Sequence, residues 1–211
     1  MVDNPFVFVW PVDQDGFGIE HVGPTGTTLL GSVQYDIIRP KGGPPRYYRP
    51  LDDYPGLWRP FAETCSSVEG VLTFVREFGL LTDRGTEGPD EILSTAERIR
   101  DIVTLLDDSD RAGAAGLLNR YPPRISEPLY WNDRSARFET RLVPFTLRHA
   151  LLHQAAETIA GNYQWRRCGN EGCPRWFRLG QGAHTIRREY YSNRCRVAHA
   201  RRQKQGATTH G

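Results

Sequence analysis

No stretch of this 211-residue chain approaches the roughly 20 consecutive apolar residues that a helix needs to cross a bilayer, so no membrane-spanning helix is expected. Met1 to Val12 contains acidic Asp3, no basic residue and an apolar run broken by proline. It lacks the charged start and long apolar centre of a secretion signal, and a cytoplasmic protein is expected. Cysteine is scarce: Cys65 stands alone, and Cys168, Cys173 and Cys195 crowd towards the C-terminus. So few cysteines, so unevenly placed, fit a metal site better than a disulfide framework. Gly23-Pro-Thr-Gly-Thr-Thr28 lacks the Gly-Lys-Ser/Thr ending of a phosphate loop and reads as a turn. His149-Ala-Leu-Leu-His153 lacks the glutamate of the zinc-protease motif and reads as a polar stripe on a helix. Internal repeats and low-complexity tracts are also absent.

The charge that is present is unevenly spread. The whole chain carries only +2, yet between Gln164 and Gln205 eleven cations face Glu171 and Glu189, an excess of nine. The remaining 16 basic and 23 acidic residues leave −7 elsewhere. An acidic body with a basic tail calls for a polyanionic partner, or for attraction between the two parts.

Apolar periodicity predicts an α+β protein, with a mostly helical N-terminal domain over 1–163 that has a small β portion. A zinc-finger-like basic module over 164–205 and a disordered tail over 206–211 follow. Phe6 to Trp10 and Thr27 to Ile38 read as strands, the second with Val33, Tyr35 and Ile37 on one face. Pro40 to Pro45 breaks the chain, and helical patterning begins near Leu57. Two helices are expected to meet near Cys65, the second starting at Ser67 and ending at Phe78-Gly79. A longer helix opens at Pro89-Asp90 and runs through Leu106, and a short one covers Ala114 to Leu118. Arg137 to Val143 alternates as a strand, with Pro144 in the first turn of a helix reaching Ala160. The aromatic-rich Tyr54 to Phe61 segment is assigned to core packing, Cys65 to a buried position, and the doublets Asp52-Asp53 and Asp107-Asp108 to solvated turns.

The cysteines are spaced Cys168-x4-Cys173-x21-Cys195, with His199 four residues further on. Glycines within Cys168-Gly-Asn-Glu-Gly-Cys173 allow a tight knuckle in which both thiolates meet one ion. Ser192 or Asn193 caps a following helix, placing Cys195 in its first turn with His199 on the same face. Three thiolates and an imidazole make a closed structural Zn2+ site, whose metal–ligand energy offsets the chain entropy of a short polar segment. For the fourth ligand, His184 rivals His199, and neither is required.

The run Trp165-Arg-Arg-Cys168, Cys173-Pro-Arg-Trp-Phe177 and Arg188-Glu-Tyr-Tyr-Ser-Asn-Arg-Cys195 resembles bacterial treble-clef zinc fingers of the CGNR type. That family is regarded as stress-related transcription regulators, so the resemblance implies DNA binding behind an α-rich N-terminal domain. It covers about forty residues, and over the N-terminal domain it extends only to a loose match of helix order and of the junction between the last helix and the knuckle. Two positions depart from the family pattern. Tyr191 stands where a cysteine is usual, and Cys195 is followed by Arg196-Val197 rather than by the motif that names the family.

Nucleic-acid contacts are assigned to Arg187, Arg188, Arg194, Arg196, Arg201, Arg202 and Lys204, a set rich in the guanidinium groups that grip phosphates and stack on bases. The N-terminal domain is a candidate sensor for a small-molecule effector. Two alternatives stay open: a protein-interaction adaptor, and an HNH-like nuclease that would use His184 as its base.

Overall fold

A computed structural model describes residues 8–22, 35–132, 135–161, 163–173, 175–179 and 188–208, with side chains in the last stretch described as far as 203. The expected strand positions Phe6, Val7 and 27–34, and the turn at 23–28, lie outside the described residues. The architecture is α+β, 44% helical and 24% strand, so helices supply most of the frame.

Four strands come first: β1 (Trp10–Asp13), β2 (Phe17–Val22), β3 (Tyr35–Pro40) and β4 (Pro45–Tyr48). β1 pairs antiparallel with β4, and β2 with β3. Pro11 sits inside β1 opposite Tyr47 rather than ending the strand, which a two-stranded ribbon tolerates because one edge needs no N–H donor. The inward residue of β3 is Ile38, fully buried, whereas Tyr35 is 53% exposed. The alternation expected from Val33, Tyr35 and Ile37 is therefore displaced by one residue, and such a shift turns every side chain to the other face.

The helical body comprises α1 (Pro50–Asp53), α2 (Trp58–Thr64), α3 (Val68–Phe78), α4 (Pro89–Asp107), α5 (Arg111–Asn119) and α6 (Leu147–Gly161). Ser67 caps α3 by accepting a hydrogen bond from the Gly70 amide at 3.2 Å. Gly79 ends it at φ +84°, where an added Cβ would lie 2.5 Å from the Pro11 carbonyl oxygen. Only glycine lets α3 stop so close to β1. Inside, Trp58, Phe61, Val71, Ile92, Ile99 and Leu151 are fully buried in one apolar cluster, each contributing about 1.5–3 kcal/mol of transfer free energy.

Two short antiparallel hairpins join α5 to α6. β5 (Ile125–Ser126) pairs with β8 (Val143–Pro144), and β6 (Leu129–Asn132) with β7 (Arg137–Thr140). Pro144 is thus a buried strand residue, and α6 begins three residues later than its proline suggested. Thr146 accepts the first helical bond, from the Ala150 amide at 3.0 Å.

Cys65 is fully buried where α2 meets α3, and burial pushes its thiol up to about 12. Alkylation of the native protein at pH 8 should leave Cys65 unmodified and label it only after unfolding, as peptide mapping by mass spectrometry would show. Rapid native labelling at that residue would overturn the packing described.

Candidate metal centre and basic helix

Beyond α6, β9 (Gln164–Arg167) pairs antiparallel with β10 (Trp176–Leu179). The turn between them is the Cys168–Cys173 knuckle. It is held by the Cys168 amide donating to Arg175 O at 3.0 Å and the Cys173 amide donating to Asn170 O at 2.7 Å. The last helix, α7 (Asn193–Thr208), runs into the stretch expected to be a disordered tail, carried on by the helix formers Gln203, Lys204, Gln205 and Ala207. Ser192 caps it: its Oγ accepts the Cys195 amide at 3.3 Å. The knuckle, hairpin and capped helix form a treble-clef-like module.

This cap delivers Cys195 to the knuckle. The Sγ atoms of Cys168, Cys173 and Cys195 all lie within 4.8 Å of one another. Ligands at zinc–sulfur distances of about 2.3 Å in a tetrahedron stand roughly 3.8 Å apart, so the three thiolates fit one metal ion. The Tyr191 amide donates to Cys168 Sγ at 3.4 Å, and the Ser192 hydroxyl to Cys195 Sγ at 3.3 Å. Burial pushes the Cys173 thiol up to about 11, whereas the Ser192 hydroxyl beside Cys195 lowers that thiol. A bound cation would hold both as thiolates.

His199 shares the inward face of α7 but does not join the sulfur group. Its Nδ1 donates to Gly169 O at 2.9 Å, and its ring stands edge-on to Tyr190 at 5.5 Å. Spacing placed it on the correct face and was blind to the carbonyl that engages it. His184 lies outside the described residues, as does Arg187.

No protein-family model matches the chain, and a search of curated proteins finds no match.

The cations assigned to nucleic acid divide by the direction they take. Arg188, though exposed, is engaged by its own module, its guanidinium 4.8 Å over Phe177 and donating to the backbone oxygens of Tyr190 and Tyr191. Arg202 donates to Asn170 in the knuckle. Arg196 is exposed, with Nη2 on Asn193 Oδ1 at 2.8 Å. Arg194 and Arg201 are exposed and have no hydrogen-bond or ion-pair partner among the described residues. Seven residues apart, they share one face of α7 about 100° round from the Cys195 and Arg202 side. The side chain of Lys204 lies outside the described residues.

The module packs directly on the body. Trp165 Nε1 donates to Thr158 Oγ1 of α6 at 2.8 Å, and the Arg59 guanidinium lies 5.2 Å over the Trp176 ring. Arg175 sits between the rings of Tyr54 at 5.0 Å and Tyr191 at 4.9 Å, where a cleft of about 220 Å³ opens. Tyr54 therefore belongs to this junction, while Trp58 and Phe61 from the same segment fill the core. Among the described residues no arginine of the module forms an ion pair with a carboxylate of the body. The remaining candidates have local partners. Asp53 accepts the Arg49 amide, Asp107 pairs with Arg59, and His153 stands 3.9 Å from Glu157.

Proposed function

We propose that this chain is a nucleic-acid-binding regulatory protein, with DNA as its target, in which a structural zinc ion closes the three-cysteine centre and orders a basic helix. The observation that carries the reading is the free face of α7. Arg194 and Arg201 stand exposed, without a side-chain partner among the described residues, on a helix whose sixteen residues include no acidic side chain. Exposed guanidinium groups not neutralised by their own body are available to phosphates, and their binding releases counterions.

Zinc suits a thiolate-dominated, redox-inert structural site, and its fourth ligand would be His184, or His199 once its ring turns from Gly169 O towards the sulfurs. The reading is non-enzymatic: three thiolates completed by one imidazole make the closed tetrahedral set of a structural site. The CGNR-like residues around Cys168, Cys173 and Cys195 point the same way.

The test is duplex-DNA binding across a salt series. Wild-type affinity should fall steeply as salt rises. The double change Arg194→Ala with Arg201→Ala should weaken binding uniformly across sequences and flatten the log–log salt slope by about two. Affinity unmoved by the double change, or insensitive to salt, would sink the reading and favour a protein-interaction adaptor.

A further inference from the structure

A second cavity lies within the body, away from the cysteines. It measures about 340 Å³, opens partly to solvent and is lined by α4, by the end of α5 and the loop that follows it, and by the first two turns of α6. Volumes of about 300 Å³ upwards are those of small-ligand sites, and this one is large enough for a single ring or a short chain.

Its chemistry is one-sided. Arg98, Arg124, Arg148 and His149 line it, and no aspartate or glutamate does. In a part of the chain with net charge −7, such a convergence of cations runs against the composition. The Arg98 side chain lies 4.0 Å over the Tyr121 ring, and its guanidinium, like that of Arg124 at the rim, has no ion-pair or hydrogen-bond partner among the described residues. Arg148 gives Nη2 to Glu87 at 2.9 Å, while its Nε is buried with no partner. Arg148 and His149 also occupy the first turn of α6, where the helix dipole favours an anion. Burial, helped by Arg124 and Arg148, holds His149 below the usual imidazole range, so it adds a neutral donor rather than more charge. Behind these groups the wall is apolar, formed by Ile102, Leu117, Leu118 and Leu152.

We infer that this cavity binds a small organic acid, its carboxylate held by Arg98 and Arg124, and its apolar part packed against Ile102, Leu118 and Leu152. Inorganic phosphate satisfies only the cationic half of such a site and a neutral ring only the apolar half.

Isothermal titration of the full-length protein with benzoate, benzyl alcohol and inorganic phosphate tests this. Benzoate should bind saturably, at least tenfold more tightly than either control. Arg124→Gln and Arg98→Gln should each weaken benzoate at least tenfold, Arg124→Gln with ligand-free melting unchanged because its side chain has no partner among the described residues, and Arg98→Gln with at most the small loss of its contact to Tyr121. Arg201→Gln, on the distant helix, should leave benzoate binding as it was. Benzoate that fails to saturate, that loses nothing in both body variants, or that binds no better than phosphate would overturn the inference. These readouts are independent of DNA and metal, so this site and the proposed function stand or fall separately.

Discussion

On the reading proposed above, Cys168→Ser should take the protein from about one zinc per chain to a small fraction of that, and DNA binding should be lost with it. Cys168 is buried at the root of the knuckle, its Sγ accepts from the Tyr191 amide, and it is one of three thiolates within 4.8 Å. Serine offers a poor zinc ligand at the same place. Structural zinc contributes about 10–16 kcal/mol of apparent binding energy to small fingers, and two remaining thiolates retain little of it. The hairpin, the knuckle and the capped start of α7 have few buried side chains of their own, Phe177 and Leu179 among them. Without the ion, the helix bearing Arg194 and Arg201 loses its fixed position. The body should keep its own unfolding transition, because the buried core from Trp10 to Ala155 draws nothing from the cysteines of the module. Metal analysis and DNA titration on one preparation check both halves. Retained DNA affinity in a zinc-free variant would separate the metal from the binding surface.

Gln154→Leu should be the most damaging change in the body that leaves its volume nearly intact. Gln154 is 2% exposed on α6. Its Nε2 donates to the carbonyls of Pro50 at 3.1 Å and Tyr54 at 2.9 Å, and its Oε1 accepts the Trp58 amide at 3.3 Å. One side chain thus fastens α1 and the start of α2 to α6. Leucine would leave the Pro50 carbonyl and the Trp58 amide without the Gln154 side chain, while the Tyr54 carbonyl keeps the Leu57 amide at 3.0 Å. At about 1–3 kcal/mol for each of the two groups, with partial relaxation, the expected loss is about 2–4 kcal/mol. For a chain of this size that lowers the melting temperature by roughly 6–12 °C, measurable by circular dichroism. A loss below about 1 kcal/mol would mean that the two groups find other partners. Because Tyr54 also lines the cleft beside Arg175, the same change should loosen the seating of the cysteine module.

Those two residues mark the range of what sequence can reveal. Cys168, Cys173 and Cys195 were legible because a knuckle with glycines and a capped helix start are local geometries, set by residues a few positions apart. Ser67 as the cap of α3, Gly79 as its end and Pro89 as the start of α4 were legible for the same reason. Gln154 gave no signal, since its partners lie about a hundred residues away and glutamine on a helix is unremarkable. The placing of Pro144 failed because its strand partner, Ile125, is a tertiary fact. The alternation around Tyr35 failed because the face buried depends on what covers the ribbon.

The basic helix divides along the same line. Composition alone determined that an arginine-rich segment follows an acidic body. Only the fold decided that Arg188 and Arg202 brace the module, that Arg194 and Arg201 face outwards, and that His199 engages Gly169 O. It also gathered Arg98, Arg124 and Arg148 around one cavity from three separate segments. Propensity, capping and ligand spacing act within a few residues and can be read along the chain. Which charges stay unpaired, and where they converge, depends on long-range packing.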